Sequence, residues 1–322
     1  MNAPGDPSAA SAHARVAAVV PTLGAPTLAA ALASIRRQGA TVEITVVYQG
    51  TAPPPPAVST FADQVLTFPA PLGFAAAANA GIAAVRAPYL LLLNDDAELA
   101  PGWLAAVQEA LDGDPLVAAA QGIDLAAAEG GGVSGCGLGW NRWWQAVQLG
   151  AGGASPDGSP REIFGASAAA ALYRSSALAA AALPAGPFDA ALDTYYEDVD
   201  LAARLRRRGG RALLVPSARA IHPGGGSAPA LGTRRLRLLY ANRWLALARL
   251  LGRALPLRLP RALLRDVADA ARQPGRAAAV LGGWARAVRL LPRFARGGPP
   301  LVPLAELRRL RAEAFAMSIV RE

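Results

Sequence analysis

The segment Tyr89-Leu-Leu-Leu-Leu-Asn-Asp-Asp96 decides the fold that this sequence predicts. An apolar run that ends abruptly in polar residues is typical of a strand buried on both faces of a sheet. Ligands bind at the carboxyl ends of the strands in open α/β sheets. The segment therefore predicts a central strand and places Asn94, Asp95 and Asp96 at the ligand-binding edge.

Short strands and helices alternate on both sides of this segment. Their residue patterns predict strands at 15–22, 42–48, 65–68, 89–93, 167–173 and 211–215, and helices at 27–38, 74–85, 103–112 and 197–208. A loop is expected at the polyproline run 53–56, and a long surface loop or irregular hairpin, outside the core, at 130–160. This alternation predicts a doubly wound, mostly parallel α/β sheet flanked by helices.

Arginine supplies all 32 basic side chains of the 322-residue chain, and lysine is absent. The lack of lysine excludes Walker-type phosphate loops and Schiff-base enzymes, because both need an amine. Cys136 is the only cysteine, which excludes an internal disulfide and a multi-thiol zinc site and predicts a cytoplasmic protein. Residues 1–15 do not resemble a secretory signal, and no uncharged apolar run reaches the roughly 18 residues that span a bilayer.

Charge is distributed unevenly along the chain. Residues from 231 onward carry 19 arginines and 5 acidic residues, whereas the rest carries 13 arginines and 18 acidic residues. We therefore expect a flexible tail at 1–14, a catalytic domain at 15–230 and an arginine-rich extension of amphipathic helices at 231–322. Helix breaks are expected at Pro256, Pro260, Pro274 and Pro292.

The extension allows two interpretations. Its arginine- and leucine-rich helices, with Trp244 and Trp284, fit an anionic membrane surface, which would place a peripheral enzyme on the inner face of the plasma membrane. The same helices fit packing against the catalytic domain or against a second copy in a homo-oligomer. Nucleic-acid binding is not expected, because leucine and arginine are interleaved as in an amphipathic helix.

Asp95 and Asp96 form the first candidate site. A hard divalent cation such as Mg²⁺ takes one or two carboxylates and completes its shell with substrate phosphates. Asn and Asp are also common in turns and helix caps. Taken alone, the triplet at 94–96 fits both interpretations.

A second candidate site opens the predicted helix at 197–208. Glu197, Asp198 and Asp200 lie at its start and four arginines at its end, which complements the helix dipole and needs no other function. Three acids exceed what capping requires, however. A carboxylate at the edge of a donor site suits a general base that accepts the proton of an acceptor hydroxyl.

Further candidates follow the last predicted strand and fill the glycine-rich stretch. His222 is the only histidine of the predicted folded body; a lone histidine is usually structural, but it can supplement a metal bound by aspartate. The run at 130–139 lacks the GxGxxG spacing of a dinucleotide site. Trp140, Trp143 and Trp144 beside it suit sugar stacking or, equally, loop packing.

Seven segments, in the order in which they follow one another along the chain, resemble those of the family 2 glycosyltransferases, in particular the rhamnosyltransferase-like members. This family has the Rossmann-like GT-A fold. The resemblance covers about residues 15–230. The segments are Val19-Val-Pro-Thr22, Leu72-Gly-Phe-Ala-Ala-Ala-Ala-Asn79-Ala-Gly81, Tyr89-Leu-Leu-Leu-Leu-Asn-Asp-Asp-Ala97, Phe164-Gly-Ala-Ser-Ala168, Pro187-Phe-Asp189, Tyr196-Glu-Asp-Val-Asp-Leu201 and Val215-Pro-Ser-Ala-Arg-Ala-Ile-His222.

The resemblance implies a metal-dependent, inverting hexosyltransferase. It would transfer a sugar such as rhamnose from a nucleotide-diphosphate donor to a hydroxyl of a saccharide or lipid-linked acceptor, in cell-surface polysaccharide or glycolipid synthesis. The implied cofactor is Mg²⁺ or Mn²⁺.

The resemblance also implies roles for individual residues. Pro21 and Thr22 would line the nucleotide pocket, and Asn79 and Gly81 would lie near the ribose and phosphates. The remaining roles are Asp96 as the direct metal ligand, Asp95 as a second ligand or a ribose or sugar contact, His222 in the metal shell, Asp198 as the catalytic base and Glu197 as its acidic neighbour.

The chain departs from the family pattern at two places. Tyr48 and Gln49 stand where the family usually has an aspartate after the second strand, and alanines flank Asn79 where basic residues are common. These departures leave open an alternative, a catalytically impaired GT-A-like protein that binds nucleotide sugars.

Overall fold

One ten-stranded sheet is built from strands that lie between Val16 and Ile221. The computed structural model describes residues 16–39, 42–126, 131–223, 228–295 and 298–320, so the tail predicted at 1–14 lies outside the described residues. The strands are β1 (Val16–Thr22), β2 (Val42–Gln49), β3 (Gln64–Phe68), β4 (Tyr89–Leu93), β5 (Glu98–Leu99), β6 (Val117–Leu125), β7 (Val133–Gly135), β8 (Leu138–Trp140), β9 (Ala146–Gln148), β10 (Arg161–Ile163), β11 (Ala170–Arg174) and β12 (Arg211–Ile221).

Helices connect and cover these strands. They are α1 (Leu28–Arg36), α2 (Pro56–Phe61), α3 (Phe74–Ala84), α4 (Trp103–Asp112), α5 (Ser175–Ala181), α6 (Glu197–Arg207), α7 (Ala228–Leu251), α8 (Leu259–Arg272), α9 (Pro274–Phe294), α10 (Leu304–Arg309) and α11 (Ala312–Val320). Single turns of 3-10 helix lie at Ala190–Leu192 and Gly252–Ala254.

The main sheet has the strand order β10-β12-β6-β11-β4-β1-β2-β3, with β5 beside β12 and β7 beside β6. The strands β12, β6, β4, β1, β2 and β3 run in one direction, and β10 and β11 run against them. The prediction of a mostly parallel α/β sheet with flanking helices is therefore confirmed.

Two apolar layers cover the sheet, and β1 shows why. Side chains alternate along a strand, so every second residue faces the same layer. Val16, Ala18 and Val20 pack with residues of α1 and α4, whereas Ala17 and Val19 pack with residues of α3. A strand that is apolar at every position is thus buried on both faces.

Several sequence predictions were wrong in detail. Neither the strand β6 nor the short helix α2 was predicted. The helix α2 begins at Pro56, the last residue of the polyproline run, and residues 53–55 lie in a loop as expected. Residues 131–160 form β7 and the β8–β9 hairpin, and a hairpin was one of the two structures expected there. The expectation that the stretch lies outside the core was wrong for its first half, where Cys136, Trp140 and Trp144 are buried, whereas most of residues 151–160 are exposed. The helices of the extension do break near Pro256 and Pro260, between α7 and α8, and at Pro274, between α8 and α9. Pro260 and Pro274 lie in the first turn of the following helix, where no backbone N–H is needed. Pro292 lies inside α9 without ending it.

The arginine-rich extension packs against the domain predicted at 15–230. Trp244 and Leu247 of α7 share an apolar cluster with Trp140, Tyr196 and Val199. These contacts favour the second interpretation, packing within the chain, for this face of the extension.

No helix in the described part of the chain is both long enough and apolar enough to cross a membrane.

Buried ion pairs join the extension to α6 and to the segment before it. Arg249 of α7 binds Asp200 through one guanidinium nitrogen, 2.8 Å from each carboxylate oxygen, and Asp189 through another at 2.7 Å. Its guanidinium also lies 4.2 Å from the ring centre of Phe294. The side chains of Asp189 and Asp200 are at most 1% exposed, so Arg249 compensates two buried charges.

Candidate active site

The carboxyl ends of β1, β4, β6 and β12 lie at one edge of the sheet because these strands run in the same direction. Thr22 ends β1, Asn94 follows β4, and His222 follows β12. The topology thus brings together residues that the sequence places far apart. This edge is where ligands bind in open α/β sheets.

Asp95 is held against the end of β1. Its Oδ2 accepts a hydrogen bond from Thr22 Oγ1 at 2.5 Å, and Thr22 Oγ1 accepts one from the Gly24 N–H at 2.8 Å. Burial, together with the charge of Asp96, raises the pKa of Asp95 against the opposing effect of the Thr22 hydrogen bond. Asp95 is therefore turned toward Thr22, one of the two residues predicted to line the nucleotide pocket.

Asp96 faces His222. Asp96 Oδ1 lies 3.3 Å from His222 Nε2, and the two side chains are 14% and 16% exposed, so a ligand can reach both. Burial lowers the pKa of His222, but the hydrogen bond and charge of Asp96 and the charge of Asp124 raise it above its ordinary value. The backbone of His222 is fixed by its N–H, which donates to Leu125 O at 2.7 Å.

Asp124, near the end of β6, is a site residue that the sequence analysis missed. Its side chain is 2% exposed; Oδ2 lies 3.4 Å from Gln121 Nε2, and Oδ1 has no hydrogen-bond partner among the described residues. Burial raises its pKa to about 7, against the effects of His222 and Gln121. The available signal was an acidic residue near the end of the mostly apolar segment 117–125. That signal can be used only once the segment is recognised as a strand.

Asp96 and His222 together could hold a divalent cation. Carboxylate and imidazole suit Mg²⁺ or Mn²⁺ when donor phosphates supply the other ligands. No three His, Cys, Asp or Glu side chains form a ready metal cage within the described ranges. The residues therefore fit a cation that binds together with its substrate, and Asp95, turned toward Thr22, is the less favourable ligand.

Glu197 and Asp198 lie at the start of α6. Asp198 Oδ1 accepts from the Val199 N–H at 2.8 Å, and Oδ2 accepts from the Ala168 N–H at 3.4 Å. Burial raises the pKa of Asp198 to about 6, although these backbone hydrogen bonds oppose it. Burial and the Asp198 charge raise the pKa of Glu197 well above its ordinary value. A carboxyl group with a pKa nearer neutrality is suited to general-base work.

One short segment connects the two acidic sites. Ala168 donates to Asp198, and the next residue, Ala169, accepts from the Asn94 N–H at 2.8 Å. Ser167 donates its N–H to Gln121 Oε1 at 2.6 Å, which ties in β6. Asn94, which precedes the predicted metal ligands Asp95 and Asp96, and Asp198, the predicted base, are thus anchored to consecutive positions of the same segment.

The turn before α6 has a strained backbone. The non-glycine residues Asp193, Tyr195 and Tyr196 have φ values of 65°, 73° and 70°. Such residues rarely adopt this region, and surrounding contacts must hold them there. Asn242 of α7 does so: its Nδ2 donates to Leu192 O, Thr194 O and Tyr195 O at 2.6, 3.0 and 2.8 Å. No local sequence signal predicts this role for Asn242, because it lies in the extension.

Asn79 and Gly81 of α3 have structural contacts. The Asn79 carboxamide donates to Phe188 O at 2.7 Å and accepts from the Phe188 N–H at 2.9 Å. A Cβ on Gly81 would lie 2.3 Å from Val19 Cγ1, so glycine allows α3 to approach the sheet. Direct contact of Asn79 or Gly81 with the ribose or phosphates stays a prediction.

The departures at the end of β2 also have structural contacts. Tyr48 is buried, and a Cβ on Gly50 would lie 2.6 Å from the Tyr48 hydroxyl. Gln49 Oε1 accepts from the Leu72 N–H at 2.7 Å. In place of the carboxylate that is usual there, the chain thus has the Tyr48 ring, which lies beside Gly50, and the Gln49 amide, which binds the loop before α3.

The tryptophans divide between core and surface. Trp140 and Trp144 are buried and pack with Phe164 and Tyr196, so they stabilise the fold. Trp143 is partly exposed, and the guanidinium groups of Arg142 and Arg261 lie 5.6 and 5.5 Å from its ring centre.

Several solved structures are similar to this chain. A mannosyltransferase from Pyrobaculum calidifontis, solved with GDP-Man and Mn²⁺, is 18% identical over 96% of this chain and 88% of its own, with a TM-score of 0.53. TarS residues 1–349 from S. aureus are 12% identical over 94% and 88%, with a TM-score of 0.52. GalNAc-T7, solved with UDP, GalNAc and Mn²⁺, is 15% identical over 71% of this chain, with a TM-score of 0.52; the match spans about half of the GalNAc-T7 chain, 49%.

At these identities the likeness establishes the fold. A search of curated protein sequences finds no match. The model of glycosyl transferase family 2 matches residues 17–178, which include β1, α3 and the segment 94–96. That match covers half of the chain, and this chain belongs to glycosyl transferase family 2.

Proposed function

We propose that the chain is a metal-dependent, inverting glycosyltransferase. It transfers a sugar, rhamnose or another hexose, from a nucleotide-diphosphate donor to an acceptor hydroxyl in cell-surface polysaccharide or glycolipid synthesis. The observation that carries the proposal is the shared anchoring of two acidic sites: Asn94, next to the Asp96–His222 pair, and Asp198 are bound to the consecutive residues Ala169 and Ala168.

The donor would lie along the carboxyl edge of the sheet. Pro21, Thr22 and Asp95 would contact the nucleoside, and Asn79 and Gly81 of α3 would stand on the phosphate side. A divalent cation held by Asp96 and His222 would neutralise the charge that develops on the departing nucleotide diphosphate.

Asp198 would act as the general base on the acceptor. The acceptor oxygen attacks the anomeric carbon on the face opposite the leaving group, its proton passes to an Asp198 oxygen, and the bond from carbon to the diphosphate oxygen breaks. The configuration at the anomeric carbon is thereby inverted. Glu197, whose pKa burial and the charge of Asp198 raise well above its ordinary value, would lie beside Asp198 as its acidic neighbour.

Asp96→Asn is expected to weaken metal binding and so to raise the metal concentration that transfer requires. Release of nucleotide diphosphate from a panel of nucleotide sugars is measured as Mn²⁺ or Mg²⁺ is titrated. The parent enzyme is expected to release product only with metal. The variant should need at least about tenfold more metal for half-maximal rate, because one of two protein ligands is lost. Equal metal curves for parent and variant would exclude Asp96 as a ligand.

The second candidate is a GT-A-like protein that binds nucleotide sugars without turnover. The buried Tyr48 at the end of β2 favours it, because a carboxylate that commonly serves the donor is missing there. Under this alternative, nucleotide sugars would raise the unfolding temperature, and no nucleotide diphosphate would be released with any donor or metal. The same panel therefore separates the two functions.

The extension supports a proposal about location on an anionic membrane. Leu257, Leu264, Val267, Leu281 and Val288 are 80%, 59%, 52%, 63% and 71% exposed. Leu264 and Val267 share a face of α8 because they are three residues apart. Exposed apolar groups among arginines suit the interface of a membrane that carries anionic lipids.

In a flotation assay, the parent protein is expected to float with phosphatidylglycerol vesicles and to stay at the bottom with phosphatidylcholine vesicles. Leu264→Ser with Val267→Ser should lose most of the floating fraction. Both residues are half-exposed, so the fold should be retained, which the unfolding temperature checks. Equal flotation with the two vesicle types would remove the membrane proposal.

A further inference from the structure

Four arginines line a cleft between α7 and α9. The cleft has a volume of about 480 Å³, within the size range of small-molecule sites. Its arginines are Arg234 and Arg237 of α7 and Arg286 and Arg289 of α9. Asp193 is the one acidic residue among the described residues that line it, so the cleft carries a net positive charge.

The sequence builds this cleft from two matched pairs. Arg234 and Arg237, like Arg286 and Arg289, are three residues apart, which places each pair on one face of its helix. Glycines let the two helices approach closely. A Cβ on Gly282 would lie 2.8 Å from Arg237 Nε, so the absence of a side chain leaves room for this guanidinium. A Cβ on the next residue, Gly283, would lie 2.7 Å from Tyr240 Cβ.

The protein neutralises these arginines only in part. Arg234 forms an ion pair with Asp193, and Arg286 Nη2 donates to Ala191 O at 2.7 Å. Arg286 Nε is buried without a hydrogen-bond partner among the described residues. Burial lowers the pKa of Arg286. The positive charges of Arg289 and Arg234 lower it further, whereas the negative charge of Asp193 partly offsets these effects. An anion in the cleft would relieve this repulsion.

The cleft adjoins the residues proposed to act on the acceptor. Asp193 begins the strained turn that leads to Glu197, and the charge of Asp193 contributes to the raised pKa of Glu197. The backbone of Asp193 also accepts from the Ala75 N–H of α3 at 2.9 Å. An anion bound by the four arginines would therefore lie on the side of the catalytic site formed by α6 and the extension.

We propose that this arginine cleft binds a phosphate or diphosphate group of the acceptor. This inference rests on the proposed function, because it assigns the chemical class of the acceptor that Asp198 would deprotonate. Guanidinium groups bind phosphate oxygens through paired, charge-assisted hydrogen bonds, and four of them match a diphosphate. The incoming anion would replace Asp193 as the partner of Arg234. Because Asp193 lies in the turn before α6, this exchange couples acceptor binding to that turn.

The test is a calorimetric titration of the intact protein with inorganic pyrophosphate in the presence of EDTA, which removes divalent cations from the donor site. Arg237→Ser with Arg289→Ser is expected to weaken binding at least about tenfold, since two charge-assisted contacts are lost. Both arginines are exposed, so the variant should fold, and its unfolding temperature verifies this.

Two control variants distinguish a loss of binding at the cleft from an effect of net charge and from binding at the donor site. Arg253→Ser with Arg272→Ser removes the same charge from exposed positions elsewhere on the extension and should keep the parent affinity. Asp96→Asn alters the donor site and should also keep it. An unchanged affinity in the cleft variant, or an equal loss in either control, would overturn the proposal.

Vesicle arms identify the source of the phosphate. Binding of the parent, lost in the cleft variant, to phosphatidylcholine vesicles that carry a polyprenyl diphosphate supports a lipid-linked acceptor. Binding of pyrophosphate without binding to those vesicles supports a soluble phosphorylated acceptor. Association with phosphatidylglycerol vesicles but not with either diphosphate would overturn the inference. None of these binding measurements depends on turnover. A failure of the proposed transfer, seen as no release of nucleotide diphosphate, is therefore distinguished from a failure of the cleft to bind phosphate.

Discussion

Transfer by the Asp198→Asn variant is expected to fall about 10²- to 10⁴-fold, while binding of the nucleotide-sugar donor persists. The amide cannot accept the proton of the acceptor hydroxyl. It keeps one acceptor oxygen for the Val199 N–H, which Asp198 binds at 2.8 Å. Because burial disfavours the ionised form of Asp198, a neutral amide should not lower the free energy of unfolding appreciably. The measurements are the initial transfer rate and the donor-induced shift in unfolding temperature.

The neighbouring acid provides the control for this prediction. Glu197→Gln removes the acidic neighbour, whose pKa burial and the Asp198 charge raise well above its ordinary value. It should reduce transfer far less than Asp198→Asn, because Asp198 remains to accept the proton. A full rate in Asp198→Asn together with a large loss in Glu197→Gln would show that the base is Glu197. The parent rate should also fall on acidification through about pH 6, the pKa to which burial raises Asp198. That acid limb should be absent from the residual activity of Asp198→Asn.

Arg249→Leu is expected to lower the free energy of unfolding by about 3–5 kcal/mol, which is typical when one partner of a buried ion pair is removed. Arg249 compensates Asp189 and Asp200, whose side chains are 1% and 0% exposed. Leucine would remove this shared partner from two buried carboxylates. Arg204 would still pair with Asp200 at 2.9 Å, but Asp189 would keep only the exposed Arg293. Chemical denaturation at neutral pH measures the change.

A matched variant tests whether burial, and not charge alone, sets this effect. Arg293 also binds Asp189, at 3.1 Å, but its side chain is 58% exposed. Exposed ion pairs contribute little, so Arg293→Leu should cost less than about 1 kcal/mol. Similar losses in the Arg249 and Arg293 variants would contradict the proposed role of the buried cluster.

The pH dependence of this effect has a definite sign. Burial raises the pKa of Asp189, but the hydrogen bond and charge of Arg249, with a backbone hydrogen bond and the charge of Arg293, lower it overall. Because the folded state binds this proton less tightly than the unfolded chain, the contribution is present above the ordinary pKa and is lost as pH falls through the folded-state value. The stability difference between parent and Arg249→Leu should therefore narrow in acid.

The sequence determined much of the catalytic domain. The bounds predicted for the strand at Tyr89–Leu93 and the helix at Trp103–Asp112 agree with β4 and α4, because apolar runs and helical periodicity are local signals. The order of seven segments also sufficed to indicate the family. These features depend on residues close together in the chain, so no tertiary contact was needed to predict them.

Predictions failed where local composition was a poor guide. The run Val117-Ala-Ala-Ala120 of β6 is rich in alanine, which has low strand propensity, and its strand exists because β11 and β12 pair with it. Asp124 was missed with it. The glycine- and tryptophan-rich stretch at 130–160 has the composition of a loop, yet Trp140 is buried because the extension covers it.

The sequence by itself determined the fold class, the acidic residues at 95–96 and 197–198, and the separation of an acidic body from a basic extension. Only the tertiary structure decided which of these residues meet. Asn94 and His222 are 128 positions apart and become neighbours because β4 and β12 end at the same edge of the sheet. From the sequence, the extension was recognised only by its excess of arginine. In the folded chain Arg249 points inward to buried carboxylates, and four other arginines line a cleft. Charge sign is a property of composition, but the partner of each charge depends on contacts between distant parts of the chain.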